Sequence, residues 1–347
     1  LLLPTPPPVS STGQALTPPL TPPARGGGKK ENYMPLFSAV ICTYNRFDLL
    51  PRAIESLHAQ TLPADEFDIW VIDNSPDSDA RKASAARWSG ITGLNYATVD
   101  RPGLSNARNL AAQHAQGDII VYLDDDAVAA PALLAEYKKA FTQLGPQTAV
   151  IGGKVTPEFE IPRPPWLDDR LLPFLSVCNF GDETKQLTGS DEPVGANIAF
   201  HKSVLMQSGG FNPALGRSGS DAYTLLSGEE SDCLRRIKHM GHTIGYAPLA
   251  SATHFIPASR LTHAWFRKRS AWQATSDQML YSLNDKALAI FKASIEQYVK
   301  DVPASYTADT SDKMGLMWDT ENPDLFFRQI NAIGMLTRLM LAKGDGL

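Results

Sequence analysis

The chain has 347 residues, 43% hydrophobic and 20% charged, the balance of an ordinary globular protein of one large or two smaller domains. Its formal net charge of -5 leaves no basic excess to neutralise phosphates, which argues against a nucleic-acid partner. Three cysteines, Cys42, Cys178 and Cys233, lie far apart without metal-ligand spacing, so a disulfide framework is not expected and a reducing, cytoplasmic compartment fits.

Residues 1–33 are rich in Pro, Thr, Ser and Gly, with Pro6, Pro7 and Pro8 in a row. Such a segment buries too little apolar surface to offset its ordering entropy, and disorder is expected. Met34, just before the first strand pattern, is expected to be the natural start. Leu1 to Leu3 lack the charged opening of a secretory signal, and no stretch is long and apolar enough to span a bilayer.

From Leu36 the pattern alternates. Strands are predicted at 37–43, 67–73, 94–98, 118–123 and 149–155, and helices at 46–59, 79–88, 104–115 and 131–144. Pro51 suits only the first turn of its helix, where its missing N–H has no partner to lose. Residues 156–193 read as irregular, with Pro157, Pro162, Pro164, Pro165 and Pro173 among them; 194–201 reads as a strand and 229–240 as a helix closed by Gly241. Beyond Pro257 the chain reads as helical, with amphipathic pieces at 283–299 and 325–341. The alternation predicts an α/β, Rossmann-like fold with a mostly parallel central sheet flanked by helices and a C-terminal helical extension.

In such a sheet, ligands bind at the carboxyl ends of the strands. Thr43, Tyr44 and Asn45 follow the first strand, Asp73 and Asn74 the second, and Asp124, Asp125 and Asp126 the fourth. The first turn has neither the glycine fingerprint of a dinucleotide fold nor a P-loop. Three carboxylates at a buried strand end repel one another, and a divalent cation such as Mg²⁺ or Mn²⁺ relieves this. The alternative is an acidic loop in which Asp126 caps the helix near Pro131; a calcium loop does not fit, because Val128 and Ala129 break its spacing. Glu229 and Glu230 open a helix, either as partners of its dipole or as a general base facing a cleft. Arg108, near the start of another helix, suits a phosphate or carboxylate ligand, or pairing with a surface acid while Ser105 caps the helix. His254 follows a strand pattern and precedes Arg260, Arg267, Lys268 and Arg269, either as a metal or phosphate ligand beside a basic helix or as a core histidine beside a solvated face.

At these residues the sequence resembles family 2 glycosyltransferases over roughly residues 37–272. The pieces occur in family order: Val40 to Arg46, Ile72 to Ser75, Arg101 to Asn109, Leu123 to Asp126, Val194 to Asn197, Gly209 to Phe211 and Gly228 to Glu230. The resemblance implies a GT-A domain at 34–256, with a nucleotide-binding half at 36–126 and an acceptor half at 127–256, followed by a helical region at 257–347. It implies that Thr43, Tyr44, Asn45, Arg46, Asp73, Arg108, Asp124 and Asp125 hold the nucleotide-sugar. Asp124 and Asp126 would form the DxD pair and His254 would join them at the metal and diphosphate. Glu230 occupies the position of the catalytic base, where Asp is usual; Glu229 and Asp232 are the neighbouring alternatives. The implied reaction is inverting, metal-dependent transfer from a nucleoside-diphosphate sugar, most often a UDP-sugar in this family, to a hydroxyl of a glycan or lipid-linked acceptor. Surface polysaccharide or glycoconjugate synthesis at the inner membrane face is the implied setting. Competing readings are a sugar nucleotidyltransferase, which usually has a Gly-rich first turn, and a degenerate nucleotide- or glycan-binding module. The 325–341 helix, with Arg328, Arg338 and Lys343, suits packing or a peripheral membrane contact.

Overall fold

The computed structural model describes residues 36–99, 101–217, 225–307, 312 and 314–342. The expected disordered segment, Met34 and Lys343 lie outside these described residues.

Strands β1 (Phe37–Thr43), β2 (Phe67–Asp73), β3 (Leu94–Thr98) and β4 (Ile119–Asp124) form the first half of the sheet, with helices α1 (Leu50–His58), α2 (Asp79–Trp88) and α3 (Leu104–His114) between them. The order β3-β2-β1-β4 is parallel throughout. Every residue of β1 is buried or nearly so, as a strand covered on both faces requires. Its alternate side chains feed two cores: Phe37, Ala39 and Ile41 pack with α1, and Val40 packs with Ala107 and Ala111 of α3. Helix α1 begins at Leu50 rather than Arg46, with Pro51 in its first turn, and residues 47–49 form a turn on the Arg46 carbonyl.

The second half contains β5 (Ala127–Ala129), α4 (Leu133–Leu144), β6 (Thr148–Phe159), β7 (Lys185–Gln186), β8 (Asn197–His201), α5 (Lys202–Gln207), α6 (Glu229–His239) and β9 (Thr243–Ile256). The sheet continues β4-β8-β6-β9-β5, with β7 also on β9. Here the expected mostly parallel arrangement gives way to a mixed one. Strand β8 runs against both β4 and β6, β5 and β7 run against β9, and only β6 and β9 are parallel. Strand β6 is longer than its apolar run because its polar end, through Phe159, pairs with β9. The 156–193 stretch also holds a 3₁₀ turn at Asp169–Leu175.

Among the described residues, helices α7 (His263–Leu280), α8 (Asp285–Asp301), the short α9 (Ala304–Thr307) and α10 (Pro323–Ala342) follow. The apolar side of α10 is buried in protein: Phe326 and Ile330 pack with Trp166 and Phe266, and Ala332 and Leu339 with Ile295 and Tyr298 of α8. That is the packing alternative of the sequence reading. No helix among the described residues is long and apolar enough to cross a membrane.

Helix α4 and strands β6, β8 and β9 pack tightly around Asn197. Tyr137 Oη donates to Asn197 Oδ1 at 2.7 Å, and Asn197 Nδ2 donates to the Ala250 carbonyl at 2.8 Å. A Cβ on Gly153 would lie 2.0 Å from the Ala250 oxygen and 2.2 Å from Asn197 Nδ2. Gly153→Ala is therefore expected to destabilise the fold by about 2 kcal/mol, the usual cost of overpacking, as a lower urea midpoint at unchanged slope.

Candidate active site

Strand β4 ends in Asp124 and the chain turns at Asp125 and Asp126 into β5. Register places Ala127 of β5 opposite His254 of β9, so a residue far along the chain arrives beside the acidic turn. His254 Nε2 lies 3.0 Å from Asp126 Oδ1, and its Nδ1 lies 2.9 Å from the Leu175 carbonyl oxygen. A carbonyl only accepts, so the proton sits on Nδ1 and Nε2 is left facing the carboxylate. Asp126 Oδ1 is buried without an aligned hydrogen bond despite this proximity. One ligand atom each from Asp124, Asp126 and His254 lies within 4.8 Å of the others. Two carboxylate oxygens and an imidazole nitrogen braced by a carbonyl suit a divalent cation such as Mn²⁺ or Mg²⁺.

Cations surround the same turn. Arg46 Nη1 pairs with Asp126 Oδ2 and, at 3.1 Å, with Asp125 Oδ1; Arg260 Nη2 lies 3.8 Å from Asp126 Oδ2. Thr43 Oγ1 donates to Asp125 Oδ2 at 2.8 Å. Burial pushes the Asp125 carboxyl up to about 7, although Arg46 pulls the other way. Burial and then the Asp126 charge also raise Asp124. Asp126 is held well below the carboxylate range, because the adjacent His254 and the positive charges of Arg46 and Arg260 outweigh its burial. Burial opposes a charge on His254, yet the neighbouring Asp126 carboxylate lifts its pKa above the ordinary value.

Arg108 of α3 stands between this turn and α6. Its Nη1 lies 2.8 Å from Glu230 Oε1 and 3.2 Å from Glu229 Oε1, and its Nη2 is 3.7 Å from Asp124 Oδ1. The guanidinium sits 5.3 Å from the Phe211 ring centroid and 5.8 Å from that of Tyr122. Gly195 lets the chain pass close to the pair: a Cβ there would lie 1.9 Å from Glu230 Oε1 and 2.3 Å from Arg108 Nη2. These groups line one cleft of about 620 Å³, the size of a small-ligand site.

The family model for "Glycosyl transferase family 2" matches residues 38–207. Residues 38–207 form a glycosyltransferase family 2 domain. It is 25% identical over 277 residues to a glucosyl-dolichyl phosphate glucuronosyltransferase of Haloferax volcanii, covering 78% of this chain and 84% of that protein. It is 25% identical over 232 residues to the succinoglycan biosynthesis protein ExoM of Rhizobium meliloti, covering 66% and 70% of the two chains. Among solved structures it resembles the mannosyltransferase PcManGT from Pyrobaculum calidifontis, captured with GDP-Man and Mn²⁺, at TM-score 0.55 and 17% identity over 89% of this chain and 88% of that one. The shared architecture is the GT-A fold.

Thr43, Tyr44, Arg46, Arg108, Asp124, Asp125, Asp126, Glu229, Glu230 and His254 all line the cleft. Three expected residues stand elsewhere. Asp73 is fully buried and accepts from Tyr96 Oη at 2.7 Å and the Ser75 amide at 2.9 Å; its neighbour Asn74 lines the cleft instead. Asn45 is exposed at φ 54°, shaping the turn after β1, and its amide donates to Ser75 Oγ. Asp232 accepts from Arg235 and Arg236 of its own helix, off the cleft, which removes it as an alternative base. Asp126 does not cap α4, whose N-cap is Ala132, and Ser105 donates inward to the Leu215 carbonyl rather than capping α3. Arg108 is buried among carboxylates rather than pairing with a surface acid. Arg267 is turned to Asp319 and the Trp318 carbonyl, away from the cleft, whereas Arg260 and Arg269 line it. Arg217, also in the lining, ends an irregular stretch at 208–217 without hydrophobic periodicity and gave no sequence signal.

The two glutamates at the start of α6 titrate in opposite directions. Burial and the adjacent Glu230 charge push Glu229 up to about 8. Burial also acts against a charge on Glu230, but Arg108 outweighs it and lowers that pKa. Near neutrality Glu230 is ionised and Glu229 carries a proton. Since the folded Glu229 pKa exceeds its unfolded value, the folded state binds the extra proton between about 4.5 and 8 and loses stability as pH rises through that window. Glu229→Gln is expected to flatten this fall, measured as Tm against pH for the variant and the parent.

Proposed function

We propose that this family 2 glycosyltransferase moves a sugar from a nucleoside-diphosphate sugar, bound with Mn²⁺ or Mg²⁺, to an acceptor hydroxyl with inversion at the anomeric carbon. The observation that carries the reading is the placing of the Asp124, Asp126 and His254 cluster in the same cleft as Glu230, with Arg108 between them. The naming of a relative as a glucuronosyltransferase, and the GDP-Man and Mn²⁺ in the similar structure, support a sugar-nucleotide donor and a metal.

Asp124, Asp126 and His254 would hold the cation, which supplies Lewis-acid stabilisation of the departing diphosphate. Arg46 and Arg260, already gathered at Asp126, present fixed positive charge to the same group as the glycosidic bond breaks. Glu230, ionised beside Arg108, takes the proton from the acceptor hydroxyl while its oxygen attacks the anomeric carbon from the opposite face. Glu229, protonated and one residue away, does not compete for that proton near neutrality. The donor favoured is a UDP-sugar, and the acceptor a glycan or lipid-linked precursor of a surface glycoconjugate. The free cysteines fit placement on the cytoplasmic side, where peripheral membrane association would bring a lipid-linked acceptor to the cleft.

Two measurements test this. Thermal shift with UDP, GDP, dTDP and CDP, with and without Mn²⁺, should show stabilisation by one diphosphate that depends on metal and disappears in Asp126→Ala. Metal-independent binding, or an unchanged response in the variant, would remove the metal role. Glu230→Gln should lower turnover by about 10²- to 10⁴-fold while diphosphate binding persists. Turnover like that of the parent would place the base elsewhere.

A further inference from the structure

The cleft holds more positive charge than its metal end engages. Arg46 and Arg260 are committed to Asp126, but Arg269 on α7 is not. Its Nη2 donates to Gln273 Oε1 at 2.8 Å and to Ser227 Oγ at 3.4 Å, both uncharged, and its Nη1 is buried with no hydrogen-bond partner. Gln273 is itself held, since its Nε2 donates to Asp277 Oδ1 at 2.8 Å and its Oε1 also accepts from Ser227 Oγ at 3.1 Å. The guanidinium is thus fixed in place, and one edge has donors to spare. A buried donor without an acceptor costs free energy that a ligand can recover.

Its position separates it from the metal. The charges that act on Arg260 are those of Asp126, Arg46, Arg217 and Asp124. Those that act on Arg269 are Arg217, Glu229, Glu230 and Asp277. Arg269 bonds Ser227, just ahead of Glu229 and Glu230 at the start of α6, and so belongs to the Glu230 end of the cleft. Burial lowers Arg269 to about 10, so it remains a cation at neutral pH.

We propose that Arg269 binds an oxyanion carried by the acceptor, a phosphate ester or a carboxylate, and thereby turns the acceptor hydroxyl toward Glu230. This rests on the transferase reading above. The planar guanidinium fork matches both oxyanions, and an anion there offsets the repulsion between Arg217 and Arg269. The acceptor class is then anionic: a lipid phosphate, a sugar phosphate or an acidic glycan.

Calorimetry on the full chain, loaded with Mn²⁺ and the nucleoside diphosphate that stabilises it, tests the idea. The probes are geranyl phosphate, glucose 1-phosphate and methyl glucuronide, each against its neutral counterpart, geraniol or methyl glucoside. At least one anionic probe should bind where its counterpart does not, and which one binds identifies the source of the anion. Arg269→Gln should weaken that probe by about tenfold or more, as for a lost hydrogen bond to a charged group. Arg269→Lys should fall between, and nucleoside diphosphate affinity should stay within about twofold in both variants, as the contacts of Arg46, His254 and Arg260 with Asp126 are untouched. Equal binding of the anionic probe by parent and Arg269→Gln would overturn the proposal. So would equal binding of anionic and neutral probes, or loss of diphosphate affinity in Arg269→Gln. Failure of every nucleoside diphosphate to bind the parent would instead overturn the transferase reading.

Discussion

A single buried guanidinium ties the two halves of the site together. Arg108 leaves the N-terminal part of α3 and reaches carboxylates of Asp124 on β4 and of Glu229 and Glu230 on α6. A charge taken out of water at this depth costs several kcal/mol unless partners surround it. The three acids supply that compensation, and the Phe211 and Tyr122 rings close around the guanidinium. The arrangement also answers the opposite problem, because the acids repel one another and need a shared cation. Tyr122 Oη donates to the Arg108 carbonyl, so the backbone carrying the arginine is braced by the strand that ends in the acidic turn.

The acidic turn has its own solution. Asp125 and Asp126 are buried and share Arg46, while Thr43 serves only the first and His254 and Arg260 only the second. This division leaves Asp124 and Asp126 Oδ1, with His254 Nε2, turned to one another across a gap of metal-ligand size. The histidine is oriented from behind by the Leu175 carbonyl, the bracing expected of a metal-ligating imidazole. Strand β9 makes this possible. It is long enough to pair with β6 along one edge and with β5 at its far end, which carries His254 to the turn.

The cleft is therefore polarised. At one end Arg46 and Arg260 face the carboxylates of the acidic turn; at the other Arg269 is held by the neutral Gln273 and Ser227 near Glu230. The environments of Glu229 and Glu230 differ in the same spirit. Neighbours in sequence, Glu229 buried and Glu230 half-buried at the cleft, they are driven apart in pKa because Arg108 lies closer to Glu230 and the Glu230 charge then discourages ionisation of Glu229.

Much of this was legible from residues alone. Strands β1, β2 and β3 and helix α2 have the bounds their patterns predict, because a doubly covered strand is a continuous apolar run and Ser78 caps α2 through the Arg81 amide. The acidic triplet at the end of β4, and the glutamates opening α6, stood out because each follows directly on a recognisable element. The three residues of β5 and the polar end of β6 carry no pattern of their own, since they are strands only by pairing with β9. The direction of β8, the inward turn of Arg108, the retreat of Asp73 and Asp232 from the cleft, and the gathering of Arg217 and Arg269 into it were decided by tertiary structure. The physical reason is common to all of them. Local sequence sets which residues favour a strand, a turn or a cap, but the partner of a buried charge and the protonation of a carboxyl depend on groups that only folding brings within a few ångströms.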